Sequence, residues 1–332
     1  MLQYISKRVA YALLLLFFLT IVVYLIFGIV PVDPARISCG VHCNAIEVAG
    51  NRHRLGLDVP LYEQWWRFIC GIFAGRAYGD GAAAFNCSAP SLGYSFPNNE
   101  CVTTAIANAF PFTLSLALGA FILWMVGGVS LGILAARFKG TWIDRSATAF
   151  VLIGSSLPVF VVGLLVYIVA LLAHWINPIN QGLWVSPWSD PLGFFKNFIF
   201  PWISLAFGYS AIYTRLTRNN VIETSSEDFI RTARAKGVST RKVLWKHNLR
   251  TSLSPLLTNA GLDFGGLLGG AIITENIFQL PGLGEISLKA VLQDYDLPLI
   301  VGTTLFAAFF IIVFNLVVDI SYAFLDPRVR VG

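Results

Sequence analysis

From Val9 to Val30 the chain carries no charged side chain. A helix of that length, at about 1.5 Å per residue, reaches across the ~30 Å hydrocarbon core of a bilayer. Lipid narrows the choice further, because backbone N–H and C=O groups that meet no water must pair within their own segment. Lys7 and Arg8 precede the run, which ends Ile29-Val30-Pro31-Val32-Asp33-Pro34 with no small-residue cleavage site. It therefore reads as an uncleaved first span and not as a signal peptide. The pattern recurs: residues 104–136, 146–173, 197–217, 252–274 and 299–324 are five further candidate spans. Of 332 residues, 56% are hydrophobic and 12% charged, where soluble domains sit near about 45–50% and about 25%. The expected fold class is all-α, a polytopic membrane protein with six transmembrane helices.

Charge orients those spans. With both termini inside, inner segments hold about 16 Lys and Arg and outer ones about 7, and the outer ones carry about 11 Asp and Glu. All five cysteines fall outside in this arrangement, in residues 31–103, which fits an oxidising compartment. Cys39, Cys43, Cys87 and Cys101 are expected to form two disulfides, in any of three pairings. Cys70, in the apolar EQWWRFICGIF segment, reads as a buried free thiol. His42 and His53 lie near the cysteines, but no zinc-type spacing appears, so no metal site is assigned. Three parts follow: residues 1–30, the N-terminus and first span; 31–103, an external disulfide-containing subdomain; and 104–332, a membrane core.

Within the core, Pro111 lies near the outer end of the second span, and Gly128 with Gly132 makes a small-residue ridge for close helix contact. Pro158 is expected to kink the third span. Gly261, Gly265 and Gly269 recur every four residues in the fifth, which also holds Asp263; Asp319 lies in the sixth. An intramembrane carboxylate must face protein or water, so Asp263 and Asp319 either line a solute path or pair with polar neighbours. Between the last two spans, Pro281, Gly282 and Gly284 make a sharp turn, with a short helix from Glu285 onward that either gates the outer mouth or caps the bundle.

The longest polar stretch between apolar segments is Glu223–Pro255, placed inside by the charge bias. Thr224 with Glu227, or Ser225 with Asp228, supplies an N-cap and a carboxylate three residues on. Phe229 and Ala233 then share a face, with Arg231, Arg234 and Lys236 around the others. Gly237 is a natural residue for a left-handed helix end, and Ser239 is placed to cap a second helix through Val243, Leu244 and Trp245. The segment is either a docking element or a solvated loop that follows the positive-inside bias.

FIRTARAKGVSTRKVLWKHNLR (229–250) followed by Pro255 resembles the cytoplasmic "EAA" loop of membrane subunits of ABC importers in the oligopeptide/dipeptide permease family. Arg231, Thr232 and Ala233 stand in the EAA positions, with the longer spacing to Pro255 that the peptide branch shows. RLGLDVPLYEQWWRF (54–68) is similar to the family's external LGLD-x-P-L segment, FQLPGLGE with QDYDLP to a second hallmark, and FLDPRVR to its C-terminal LLDPR signature. The cysteine-bearing stretches look like insertions. The resemblance implies the first of two permease chains, with a type I ABC importer permease fold, in a bacterial inner membrane. It makes the segment at about 225–247 a coupling helix, with Glu227, Phe229, Arg231, Ala233, Arg234, Lys236 and Gly237 docking an ATPase. The implied partners are a second permease subunit, two ATP-binding subunits and an external solute-binding protein. The implied solute is a di- or oligopeptide, or in relatives a nickel complex, glutathione or an oligosaccharide.

The residues also exclude chemistry. There is no G-x-x-x-x-G-K-[ST] phosphate loop, so ATP and its magnesium belong on partners and this chain carries no cofactor. No H-E-x-x-H or G-x-S-x-G motif marks an enzyme. A self-contained secondary transporter using Asp263 and Asp319 is the competing class, against which the absence of an inverted repeat counts. A membrane-bound scaffold that binds an external partner is a third.

Overall fold

The first apolar run forms α1 (Leu2–Ile29). The computed structural model describes residues 2–29, 34–37, 44–54, 56–78, 85–175, 184–293 and 295–325. After α1 come α2 (Pro34–Ile37), α3 (Ala45–Arg54) and α4 (Leu61–Ala74), then strands β1 (Arg76–Tyr78), β2 (Phe85–Cys87), β3 (Tyr94–Ser95) and β4 (Glu100–Cys101). The remainder is helical: α5 (Val102–Arg137), α6 (Trp142–Ser156), α7 (Val159–Leu172), α8 (Pro191–Ser225), α9 (Asp228–Ala235) and α10 (Thr240–Lys242). A π-helical turn over Val243–Asn248 leads to α11 (Leu249–Ser252), α12 (Ser254–Leu268), α13 (Ile272–Ile277), α14 (Leu283–Leu292) and α15 (Leu297–Leu325).

Among the described residues, three helices are long and apolar enough to cross a membrane: Ser6–Ile26, Val102–Arg137 and Leu297–Val318. The expected third span departs from a kinked helix. α6 and α7 meet at 102°, a break that raises the count of candidates to four at most. Proline explains it. Pro158 has no N–H to donate and forces Leu157 out of the helical region; Leu157 and Pro158 are both extended, with ψ of 124° and 142°. The fifth expected span is also shorter than its apolar run. α12 stops at Leu268, and Gly270 adopts φ +117° with its backbone against Gly284, where a side chain would collide with the Gly284 nitrogen.

The chain divides into two units. The first takes residues 1–113, 268–272 and 281–313. Its core joins Val102, Ile106 and Ala109 of α5 to Leu283 and Ala290 of α14 and Leu299 of α15. A second cluster places Val23 of α1 on Phe68 of α4 and on Val301 and Leu305 of α15, and Trp65 Nε1 donates to Thr20 Oγ1 across α1 and α4. β1 pairs antiparallel with β2, and β3 with β4. Cys87 ends β2, Cys101 ends β4, and a disulfide joins them with Cα atoms 5.8 Å apart. Tyr94 stacks on Phe85 and Tyr78 at 4.8 and 5.9 Å between ring centres, so rings and disulfide together hold two hairpins too small to persist alone. One expected bridge position thus has a partner, while Cys39 and Cys43 lie outside the described residues. Cys70 is free but exposed, not buried as expected. It sits on the face of α4 away from Phe68, which takes the core position.

The second unit takes residues 114–267, 273–280 and 314–332. Here α8 is the centre, with α6 and α7 packed on it. The glycine ridge of α5 serves the close contact that its spacing suggested. A side chain at Gly128 would meet the Ser210 carbonyl and Tyr213, and one at Gly132 would meet Thr214 and Thr217. Helices this close gain dispersion along their whole contact. Trp202 fills the space over Gly119 and donates from Nε1 to the Ser115 carbonyl at 2.9 Å.

Candidate functional site

The basic stretch after α8 is built on a continuation of that helix. α8 runs unbroken to Ser225, past the two expected N-caps. Thr224 is buried within it, and Ser225 Oγ bonds back to the Val221 carbonyl at 2.7 Å. The cap expectation is corrected accordingly. α9 begins after Glu227, whose side chain makes no capping bond. What favours α9 is charge at its ends, with Asp228 in the first turn and Arg234 in the last, each complementing the helix dipole. Its end is as expected. Gly237 has φ +77°, its N–H bonds the Arg234 carbonyl at 2.9 Å, and Val238 N–H reaches back to Ala233 at 3.2 Å. This is a complete Schellman closure. No atom lies near a side chain added at Gly237, so backbone conformation and not space demands glycine there.

The second helix differs from expectation. Ser239 precedes α10 without a side-chain cap, and Val243, Leu244 and Trp245 fall in the π-helical turn, which closes with Leu249 N–H on the Leu244 carbonyl. The wider turn brings Asn248 inward. Its Nδ2 donates to the Val221 carbonyl at 3.1 Å and to Ser225 Oγ at 2.6 Å. Asn220 Nδ2 donates to the Ser252 carbonyl at 3.2 Å. The segment's apolar anchor is Ile230, 0% exposed, with Val221, Val243 and Leu249 also buried. Sequence reasoning missed both Ile230 and Asn248. For Ile230 a signal existed, since it is the largest aliphatic side chain in α9; for Asn248, residue type alone carried none.

The expected docking residues face outward. Phe229 is 44% exposed and Trp245 58%. Ala233 is half-buried, and Glu227, Arg231, Arg234, Lys236 and Gly237 are exposed. Arg231 and Asp228 approach to 3.6 Å with both side chains in solvent, a pair of little energetic weight. The segment therefore presents two aromatic rings within a cationic surface, and Ile230 and Asn248 hold it from behind.

The other expected residues lie apart from it. Asp263 on α12 accepts a 2.6 Å hydrogen bond from Tyr213 Oη of α8. Asp319 belongs to α15, but its side chain lies outside the described residues. Gly282 precedes α14, which starts at Leu283, two residues before the expected Glu285, because Leu283 N–H is already satisfied by Thr113 Oγ1 at 2.8 Å. Pro281 immediately precedes that entry, and Gly284 lies in the first turn. One ion pair escaped notice: Arg218 of α8 binds Asp144 of α6 in a fork, Nε to Oδ1 at 2.5 Å and Nη2 to Oδ2 at 3.0 Å. Among the described residues, no group of three or more His, Cys, Asp or Glu side chains is placed to hold a metal.

Residues 128–331 match the family described as the inner membrane component of binding-protein-dependent transport systems, and residues 1–117 match its N-terminal component. The chain belongs to this family. It is a permease subunit of an ABC importer of the dipeptide/oligopeptide type. The glutathione transport system permease protein GsiC of Escherichia coli O6:H1 (strain CFT073) is 34% identical over 99% of both chains. The GsiC of Salmonella paratyphi A (strain ATCC 9150) is likewise 34% identical over 99% of both. A chain of the MetNI methionine ABC transporter, in an inward-facing crystal form, shares the fold with a TM-score of 0.55 at 17% identity. That match covers 70% of this chain and 99% of the other. The permease subunit is thus membrane-spanning, mostly helical and of type I importer fold, and its relatives are named as transport-system permease proteins.

Proposed function

We propose that this permease subunit forms one half of the translocation path for short peptides, glutathione among them, and couples that path to ATP hydrolysis on partner subunits. The observation that carries the reading is the outward-facing aromatic and cationic surface of α9 and the π-helical turn. It is tied to the end of α8 through Asn248, so force on the segment reaches α8. Phe229 and Ala233 would sit in an ATPase groove, Arg231, Arg234 and Lys236 would meet its acidic rim, and Gly237 sets the angle of the following turn. Two ATP-binding subunits carrying ATP and magnesium, a second permease chain and an external solute-binding protein complete the assembly. Six crossings, by α1, α5, α6 with α7, α8, α12 and α15, would put both termini and the segment at about 225–247 in the cytoplasm, and the disulfide-bonded hairpins outside. Pro281, Gly282 and Gly284 belong to the outer gate. Asp263 and Asp319 are the polar groups available near the path.

Full-length similarity to permeases named for glutathione supports a peptide of that size, because such solutes share amide and carboxylate groups that a roomy path accommodates with little selectivity. The test is purification with associated subunits, followed by ATP-dependent uptake of labelled glutathione and of dipeptides into proteoliposomes. Uptake that needs ATP and the solute-binding protein supports the reading. Uptake without ATP by this chain alone overturns it.

A further inference from the structure

Between α6 and α8 lies a cavity of about 210 Å³. With a water molecule's share near ~30 Å³, that volume exceeds what a lone ion requires. Ala147, Val151 and Leu152 of α6 make its apolar wall, at the spacing of one helix stripe; Thr214, Arg215 and Arg218 of α8 stand opposite. The polar lining is largely committed. Thr148 and Ser155 hydroxyls donate to carbonyls of their own helix, Thr214 donates to Gly128 and Ser210 carbonyls, and Arg218 is held by Asp144. Asp144 takes a further bond from the Gly140 N–H at 2.9 Å. The exposed Arg215 and Asn219 side chains differ: among the described residues neither makes an ion pair or hydrogen bond, Arg215 alone of the two is charged, and no carboxylate lines the cavity. The lining thus carries one uncompensated positive charge beside an apolar slot.

We propose that this cavity binds an anionic phospholipid, with its phosphate on the Arg215 guanidinium and an acyl chain along Ala147, Val151 and Leu152. A guanidinium fork matches phosphate oxygens, and a basic pocket between membrane helices on the cytoplasmic side is suited to an anionic headgroup. A single net charge fits a monoanionic headgroup. The placement rests on the orientation proposed above, but lipid retention is read without transport, so the two can fail separately.

The experiment is native mass spectrometry of the permease, purified with its accompanying subunits and exchanged into phosphatidylglycerol or phosphatidylcholine. Wild type is expected to retain phosphatidylglycerol through delipidation, and Arg215→Gln to retain about tenfold less, the loss of one charge-assisted contact. Leu152→Trp, at an exposed lining position, should displace the lipid sterically with the charge intact, and Arg145→Gln, exposed in the first turn of α6 and outside the lining, should change nothing. Equal retention by Arg215→Gln, or equal retention of phosphatidylcholine by wild type, overturns the proposal. So does release of the lipid by millimolar inorganic phosphate, which assigns a free-anion site. A raised KM for carboxylate-bearing peptides in Arg215→Gln with lipid retention unchanged overturns it too, and assigns the cavity to the solute path.

Discussion

Two polar regions of this permease are held by opposite means. Strands β1 to β4 form two antiparallel pairs joined covalently through Cys87 and Cys101, with Tyr94 wedged among aromatic rings. Among the described residues, the basic segment after α8 has neither a covalent link nor a ring stack. The buried side chains of Ile230, Val243 and Leu249, the buried Asn248 and the bond from Asn220 to the Ser252 carbonyl hold it to its own unit. The first construction resists deformation locally. The second couples the segment to α8 at few points, so displacement of α9 moves the helix end more readily than it deforms a core. In the orientation proposed above, the first would give a rigid outer part and the second an inner part that transmits movement.

Substitutions can break that contrast. The largest effect is expected from Gly237→Pro, since proline is confined to φ near about −65° and the residue sits at +77°. ATP-dependent uptake should fall tenfold or more, on the order of 1.4 kcal/mol of coupling, with membrane insertion intact; near-normal uptake would remove the segment from the coupling role. Next, Cys87→Ser with Cys101→Ser should lower the stability of the hairpins by about 3 kcal/mol, read as faster proteolysis of intact vesicles from outside. Uptake should suffer less than in Gly237→Pro, and the reverse ranking would invert the comparison. Asn248→Ala deletes two donors to α8 and should cost about 1–3 kcal/mol locally. Hydrogen exchange should then rise at Val221–Ser225 with no change in the hairpins; protection unchanged at both sites would dismiss Asn248 as the tie. The smallest effect is expected from Arg231→Gln, whose pair with Asp228 is solvent-exposed. An uptake change under about threefold that vanishes at high salt fits a rim contact, whereas a larger, salt-independent loss would make Arg231 an anchor.

Much of this was legible in the primary structure, for identifiable reasons. Long apolar runs have one backbone solution in lipid, so α1, α5 and α15 follow from composition alone. Gly128 and Gly132 announce a close contact because four-residue spacing puts both on one face. Gly237 announces a helix end because few residues tolerate its conformation. These are local rules, and local rules survive folding.

Where a helix stops by competition, only the tertiary structure decides. Thr224 and Ser225 have capping side chains, yet packing of α8 against Asn248 extends the helix through them. Pro158 announces a disturbance, but the 102° between α6 and α7 reflects where each helix finds its surface on α8. Ile230 and Asn248 are the residues that hold the outward face of the proposed docking segment, and both acquire that role from neighbours distant in sequence. The same holds for Arg215 and Arg218. In the chain they are two arginines one turn apart; in the fold Asp144 neutralises one and leaves the other facing a cavity. Charge can be counted from residues, but whether it is compensated depends on which side chains the packing brings within about 4 Å.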